Sequence, residues 1–165
     1  MPMGMLPGFA GWFLDYDREI ALIANNCDEV QQAVKLLIRI GYEKLVGYLN
    51  GGMETWEKSG RDYGQIPSVY AGEIRDLQNK GYLLLDVREI EEWESGHLKD
   101  AQHIYVGKLP DHLDEIPKDR PIITFCGSGR RAIIAASILK QNGFDHVENS
   151  LGSMAACKKA GCEIV

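Results

Sequence analysis

Apolar positions along the chain fall into two related blocks. In the first, Ile20–Ala21–Leu22–Ile23 is an apolar run of strand length, followed by Val30, Ala33, Val34, Leu37 and Ile38 at helical spacing. In the second, Ile122–Ile123–Thr124–Phe125 precedes Ile133, Ile134, Ala136, Ile138 and Leu139. Both helical patterns stop at a glycine followed by an aromatic residue, Gly41–Tyr42 and Gly143–Phe144, which signals a helix C-terminus. Each block continues with a short strand and a small helix, residues 49–53 matching 151–154 after one inserted residue in the first copy, and closes on Gly60 or Gly161. Tyr16–Asp17–Arg18–Glu19–Ile20 then lies over Lys118–Asp119–Arg120–Pro121–Ile122, and the chain reads as an internal repeat.

Only the second block has a front half. Residues 61–67 are polar and turn-rich and read as a linker. From their last two residues onward the pattern predicts a leading strand over 66–69 and a helix over 70–80 stopped by Gly81. The run YLLLDV at 82–87 is nearly continuous in apolar character, as expected of a strand buried on both faces of a parallel sheet. A short helix over 89–94, a strand over 103–106, a second short helix over 108–116 and a strand over 121–125 follow. Strands alternating with helices at this spacing predict an α/β fold, helices layered on a central, mostly parallel sheet. The organisation expected is an incomplete, degenerate repeat over 1–60, a linker over 61–67 and a complete domain over 68–165.

Composition narrows the function. The chain has 165 residues, 45% of them hydrophobic, and a formal net charge of −6, so no basic surplus exists to bind nucleic acid or an anionic membrane. The acidic stretch at 89–94 reads as a solvated helix face. Cys27, Cys126, Cys157 and Cys162 show no CxxC pair or zinc-ligand spacing, and neither a metal nor a cofactor is expected. The apolar start, ended by Asp15, lacks the basic n-region of a secretory segment. A cytoplasmic, reducing setting that keeps thiols free is the expectation.

The segment with most chemical content is Phe125–Cys126–Gly127–Ser128–Gly129–Arg130–Arg131. A buried strand ends at a cysteine, two glycines permit a tight loop, and a long apolar helix starts at once. Loop amides and the free N–H groups of the helix start then converge as an anion cradle. The helix dipole, Arg130 and Arg131 favour negative charge on the sulfur. A side chain at Gly127 or Gly129 would obstruct the cradle or clash at positive φ. The bland alternative is that Cys126 is a small buried hydrophobe.

Around this loop the chain resembles a known family. Leu84–Leu85–Asp86–Val87–Arg88–Glu89, then Trp93, Gly96–His97–Leu98, Ala101 and His103–Ile104, resemble the opening signature of rhodanese domains. Residues 126–131 resemble their active-site loop, and Leu151–Gly152–Ser153–Met154 their terminal helix motif. The resemblance covers 68–165 and implies a rhodanese-like fold and sulfurtransferase chemistry. Cys126 would be the nucleophile, Arg131 the group that organises the loop and stabilises charge, and Gly127, Ser128, Gly129 and Arg130 the cradle. A sulfane sulfur from thiosulfate, glutathione persulfide or a polysulfide would pass through a Cys126 persulfide to cyanide, a thiol or sulfite, with no cofactor. A non-catalytic persulfide-sensing or protein-interaction module is the second reading. A phosphatase or arsenate reductase is the third, disfavoured because only four residues separate Cys126 from Arg131, whereas phosphatases of this fold carry a longer loop.

The sequence also departs from the family. Lys99–Asp100 stands in place of Pro–Gly, Tyr105 in place of proline, Cys157 in place of tryptophan and Ser153 in place of glycine. These changes bear on the loop after His97 and on the last helix, and are expected to leave the sulfur cradle untouched. In the first copy Ala24 occupies the position of Cys126, and Asp28 and Glu29 replace the arginines, so that copy is read as inactive. Its incomplete form resembles the tail of metallo-β-lactamase-fold proteins fused to two rhodanese domains, the first degenerate. The chain then reads as the downstream part of a longer ancestor, with a persulfide-handling enzyme as partner and self-association into a homo-oligomer left open.

Other candidates have structural readings. Asp86 and Arg88 are expected as an ion pair that orients a helix and supports the site. His97 is read as a hydrogen-bonded structural residue, and His103 and His112 as surface or turn residues without a nameable partner. Trp12 and Trp56 fit core or cap packing, and Trp93 anchors a short helix. Cys157 and Cys162 pack, or resolve a Cys126 persulfide.

Overall fold

The computed structural model of the chain describes residues 3–165, the side chain of Trp12 excepted. The chain forms two compact units, Met1–Gly64 and Gln65–Val165.

The first unit contains α1 (Leu6–Phe13), β1 (Ile20–Ile23), α2 (Cys27–Arg39), β2 (Leu45–Leu49) and α3 (Gly52–Lys58). β1 and β2 pair in parallel across α2. The start of α2 is set locally: Asn26 accepts the Glu29 N–H at 2.9 Å, and Glu29 accepts the Asn25 N–H at 3.0 Å. Leu37 and Tyr42 are buried against Ala10, and the Tyr42 hydroxyl donates to the Leu14 carbonyl at 2.8 Å and the Ala10 carbonyl at 3.2 Å. Burial of this hydroxyl raises its pKa above the ordinary tyrosine range, with Tyr16 and Asp15 adding to the shift. Part of the expected apolar pattern, Ile23 and Ile38 among it, is not buried here, nor are Val46 and Tyr48 of β2, because the unit's sheet has only two strands to cover.

In the second unit, β3 (Ser68–Tyr70), β4 (Leu83–Asp86), β5 (Gln102–His103), β6 (Ile122–Phe125) and β7 (Val147–Leu151) form a five-stranded parallel sheet in the order β3-β7-β6-β4-β5. Four helices accompany it: α4 (Ile74–Asn79), α5 (Ile90–Glu94), α6 (Arg130–Gln141) and α7 (Ser153–Ala160). The chain leaves β4 outward to β5 and then returns to β6 on the other side of β4. The C-terminal ends of β4 and β6 therefore flank a switch point, where open α/β sheets place their ligands. Every residue of β4 and β6 is buried, as their nearly continuous apolar runs require. Ile123 and Phe125 face a cluster with Ile74, Leu84, Leu98, Met154 and Cys157. α6 buries Ala132, Ala135, Ala136 and Leu139 in crossing from β6 to β7.

Three elements differ from the expectation. The strand over 103–106 shrinks to β5, because β4 ends at Asp86; beyond it only the Ile104 and Val106 amides still reach Asp86 and Val87 carbonyls. The helix over 108–116 is two 3-10 turns, Leu109–Asp111 and Leu113–Glu115, with His112 between them in a non-helical backbone conformation. The helix over 70–80 is a 3-10 turn, Ala71–Glu73, running into α4, while Tyr70 belongs to β3.

Candidate active site

Cys126 lies one residue past β6, and the loop behind it turns directly into α6. The Gly129 N–H donates to Cys126 Sγ at 3.1 Å, and α6 begins at the next residue, so its positive N-terminal end faces the sulfur. Gly129 has φ +92, and a Cβ there would stand 3.2 Å from the Ser150 carbonyl oxygen, so glycine is required. Gly127 is different. Its φ lies outside the left-handed region, and a Cβ would meet Arg131 Nη2 at 3.4 Å and Glu92 Oε1 at 3.5 Å, ordinary contacts. The need for glycine expected at 127 is therefore not imposed by the space around it.

Of the two arginines, only Arg131 turns to the cysteine. Its guanidinium is half-buried, interacts with the Cys126 sulfur, and binds Glu92 with Nη1 at 2.5 Å from Oε2 and Nη2 at 2.8 Å from Oε1. The Arg131 guanidinium holds the Glu92 carboxyl below its usual range, against the opposing effect of burial. The hydrogen bonds that Arg131 donates to Glu92 in turn hold Arg131 above its usual range. Arg130 and Ser128 are exposed, which leaves them at the rim of the loop. Cys126 itself is 1% exposed.

Glu92 was not singled out by the sequence. It falls in the acidic stretch read as a solvated face, and its partner lies 39 residues away. The local signal was the Glu89-x-x-Glu92 capping box at the start of α5, which fixes where the Glu92 carboxylate sits.

The other side of the loop rests on α7. The Cys126 N–H donates to Ser153 Oγ at 3.1 Å, and Ser153 Oγ donates to the Ser150 carbonyl at 2.9 Å. The Met154 N–H reaches the Cys126 carbonyl at 2.9 Å, and the Ala155 N–H the Gly127 carbonyl at 3.1 Å. Ser153 is fully buried with φ 45. The expectation that the family departures leave the cradle untouched is thus corrected: Ser153 holds the backbone of Cys126. Asp100, the other departure at a family glycine, also takes a left-handed φ, of 59.

Asp86 and Arg88 form a buried pair, with Arg88 Nε at 2.9 Å from both carboxylate oxygens and Nη2 at 2.7 Å from Oδ2. The remaining guanidinium protons reach the Glu92 carbonyl at 2.9 Å and the Gly96 carbonyl at 3.0 Å, which ties the end of α5 to β4. His97 Nδ1 is 3.2 Å from the Trp93 carbonyl and its ring stacks on Trp93 at 3.6 Å. His103, expected without a partner, also stacks on Trp93, at 4.9 Å, and its Nε2 lies 2.8 Å from the Arg88 carbonyl. His112 pairs with Glu115 at 2.6 Å. The Trp56 indole donates to the Asp62 carbonyl at 3.1 Å, whereas the reading of Trp12 lies outside the described side chains. Burial, followed by Glu89, pushes the Tyr105 hydroxyl up to about 12. Among the described residues no cluster of His, Cys, Asp and Glu is arranged to hold a metal ion, and no helix is long and apolar enough to cross a membrane.

Comparison with known proteins gives the family. The rhodanese-like domain family matches residues 71–160. A sulfurtransferase of Allochromatium vinosum is 36% identical over 83 residues, which span 50% of this chain and 78% of that protein. A putative sulfur carrier protein of Bacillus subtilis, YrkF, is 39% identical over 100 residues, 59% of this chain but only 54% of the relative. Among solved structures, a rhodanese-like domain protein from Staphylococcus aureus superposes with a TM-score of 0.52 at 28% identity, covering 61% of this chain and 99% of that one. The rhodanese-like domain of an Anabaena protein gives 0.56 at 25% identity, covering 61% and 80%. Sequence, parallel sheet and loop together place the chain in the rhodanese-like domain family.

Proposed function

We propose that the chain is a sulfurtransferase in which Cys126 carries a sulfane sulfur as a persulfide. Family membership and the sulfurtransferases among its relatives support the general reaction. The observation that carries the residue-level reading is the position of Cys126 Sγ, at the end of a buried strand, accepting the Gly129 N–H and set beside Arg131. In the first step the Cys126 thiolate attacks the outer sulfur of thiosulfate, the S–S bond breaks, and sulfite leaves with the electron pair. The terminal sulfur then occupies the cradle formed by the 127–130 backbone and the start of α6. In the second step cyanide, a thiol or sulfite attacks that sulfur, and the Cys126 thiolate is released. Both are displacements at sulfur with thiolate or sulfite leaving groups. Glutathione persulfide and polysulfides offer the same sulfane sulfur. Arg131, steadied by Glu92, balances negative charge on the sulfur, while Asp86 and Arg88 act indirectly by fixing α5, which carries Glu92.

Residues 1–60 are read as a degenerate copy without sulfur chemistry. The order β1-α2-β2-α3 repeats that of β6-α6-β7-α7. Ala24 stands where the cysteine would be, and Asp28 and Glu29 occupy the first turn of α2 in place of arginines. A persulfide-handling enzyme in a reducing compartment is the partner that this arrangement suits. The reaction is tested by thiocyanate formation from thiosulfate and cyanide. Wild type turns over and Cys126→Ser does not; undiminished turnover by the serine variant would refute the assignment.

A further inference from the structure

α7 ends in a glycine stop, with Gly161 at φ +73 and the Cys162 N–H returning to the Cys157 carbonyl at 3.1 Å. This closure brings the side chains on either side of the stop together, and here both are cysteines. Cys157 is fully buried in the cluster with Phe125 and Met154. Cys162 is half-buried, packs on that cluster, and its thiol is 3.6 Å from the Ala71 carbonyl. The residues that follow are held in place: His97 and Val165 exchange two backbone hydrogen bonds of 2.9 Å.

Cys162 also lines a cavity of about 360 Å³, together with Arg75, Lys99, Arg120, Asp100 and Glu163. Glu163 is engaged by Lys99 at 3.3 Å and Arg75 at 3.8 Å. Three cations against two carboxylates leave the cavity a net preference for an anionic visitor. Packing alone accounts for two small residues at a helix stop. It does not account for one of the two cysteines lining a cationic cavity while the other is buried in the cluster on which the first packs.

We propose that Cys157 and Cys162 are a thiol–disulfide pair, in which Cys162 exchanges with carboxylate-bearing low-molecular-weight disulfides in this cavity and Cys157 resolves the product. In the first step the Cys162 sulfur attacks one sulfur of the disulfide. Its S–S bond breaks, and the first small thiol leaves with the electron pair and the Cys162 proton. Cys157 then attacks the Cys162 sulfur, the mixed disulfide breaks, and the second small thiol leaves with the Cys157 proton. Two cysteine thiols are oxidised to one disulfide, and the small disulfide is reduced to two thiols. Cys162 is half-buried and lines the cavity whereas Cys157 is fully buried, which makes Cys162 the first to react; burial also pushes the Cys157 thiol up. The pair is independent of the reading of Cys126, although α7 carries both the pair and the contacts to the Cys126 loop.

The test is a peptide map of the reduced full chain after incubation with oxidised glutathione, digested with trypsin without reductant. Lys158 and Lys159 separate the two cysteines into peptides 141–158 and 160–165, apart from those of Cys27 and Cys126. The expected result is a disulfide joining these two peptides, absent in Cys162→Ser, and formed several-fold more slowly with uncharged hydroxyethyl disulfide. A stable glutathione adduct on Cys162 with Cys157 free, or two unmodified thiols, would overturn the pair. Equal rates with the charged and uncharged reagents would overturn the role of the cavity. The wild-type map decides the linkage even where the serine variant fails to fold.

Discussion

Replacing Ser153 by alanine and by glycine should give losses of stability in the reverse of the usual order. Ser153 is the first residue of α7, fully buried, with φ 45 and a hydroxyl that takes the Cys126 N–H at 3.1 Å. Both variants remove that acceptor and leave a buried amide without its partner, at a cost of about 1–3 kcal/mol. Alanine must still adopt the left-handed backbone, which costs an L-residue about 1–2 kcal/mol, whereas glycine is relieved of it. Glycine's larger loss of chain entropy, about 0.5–1 kcal/mol, offsets part of that relief. The net expectation is that Ser153→Ala is the less stable by about 1 kcal/mol, although in an ordinary helix interior glycine is the worse by about that amount. Urea-dependent hydrogen exchange of the β6 and α7 amides reads this unit selectively. Equal losses, or a milder loss for alanine, would refute the claim of backbone strain. Two variants within about 0.5 kcal/mol of wild type would refute the claim that the hydroxyl holds the loop.

Three further outcomes are expected. Arg88→Met leaves the fully buried Asp86 carboxylate without its partner and should cost about 3–5 kcal/mol in urea unfolding; a loss below about 1 kcal/mol would show the pair to be dispensable. The Glu92 carboxyl is depressed on folding, chiefly by its hydrogen bond to Arg131, so its contribution to stability is complete above its ordinary value of 4.5 and is lost as the pH falls through the folded value. The difference in urea midpoint between wild type and Glu92→Gln should therefore shrink on the acid side of 4.5, and a difference unchanged by acid would contradict the pairing. Tyr42→Phe removes the hydroxyl donor to the Ala10 and Leu14 carbonyls and should destabilise the first unit by about 1–2 kcal/mol, read by hydrogen exchange in α2, with no change in sulfur transfer.

What the sequence made legible was whatever depends on neighbours along the chain. The strand at 122–125, the glycine loop and the helix behind it form one contiguous pattern, and α6 begins at Arg130 as that pattern requires. The continuous apolar run at 82–87 likewise marked β4 as a central strand, though trimmed to four residues. Less legible were features created by packing across the fold. Glu92 reads as a surface acid until β4 and β6 pair and bring α5 over the loop, where its carboxylate meets Arg131. His103 has no partner in its own segment; the edge strand β5 carries it to Trp93 and the Arg88 carbonyl. Ser153 was visible as a substitution for glycine, but its effect on Cys126 arises only because α7 folds back under the loop. Short elements also escaped periodicity, since the two 3-10 turns at 109–115 are too brief to show a helical repeat.

The proposed chemistry rests on the sulfur of Cys126, and its most direct measurement is the intact mass of the full chain after brief exposure to thiosulfate or glutathione persulfide. Cys126→Ser, treated alongside, isolates this residue from Cys27, Cys157 and Cys162. Wild type should gain the mass of one sulfur atom, removable by cyanide with formation of thiocyanate, and the serine variant should gain none. A wild-type chain that takes up no sulfur, or a serine variant that takes up as much, would contradict the assignment of the candidate site.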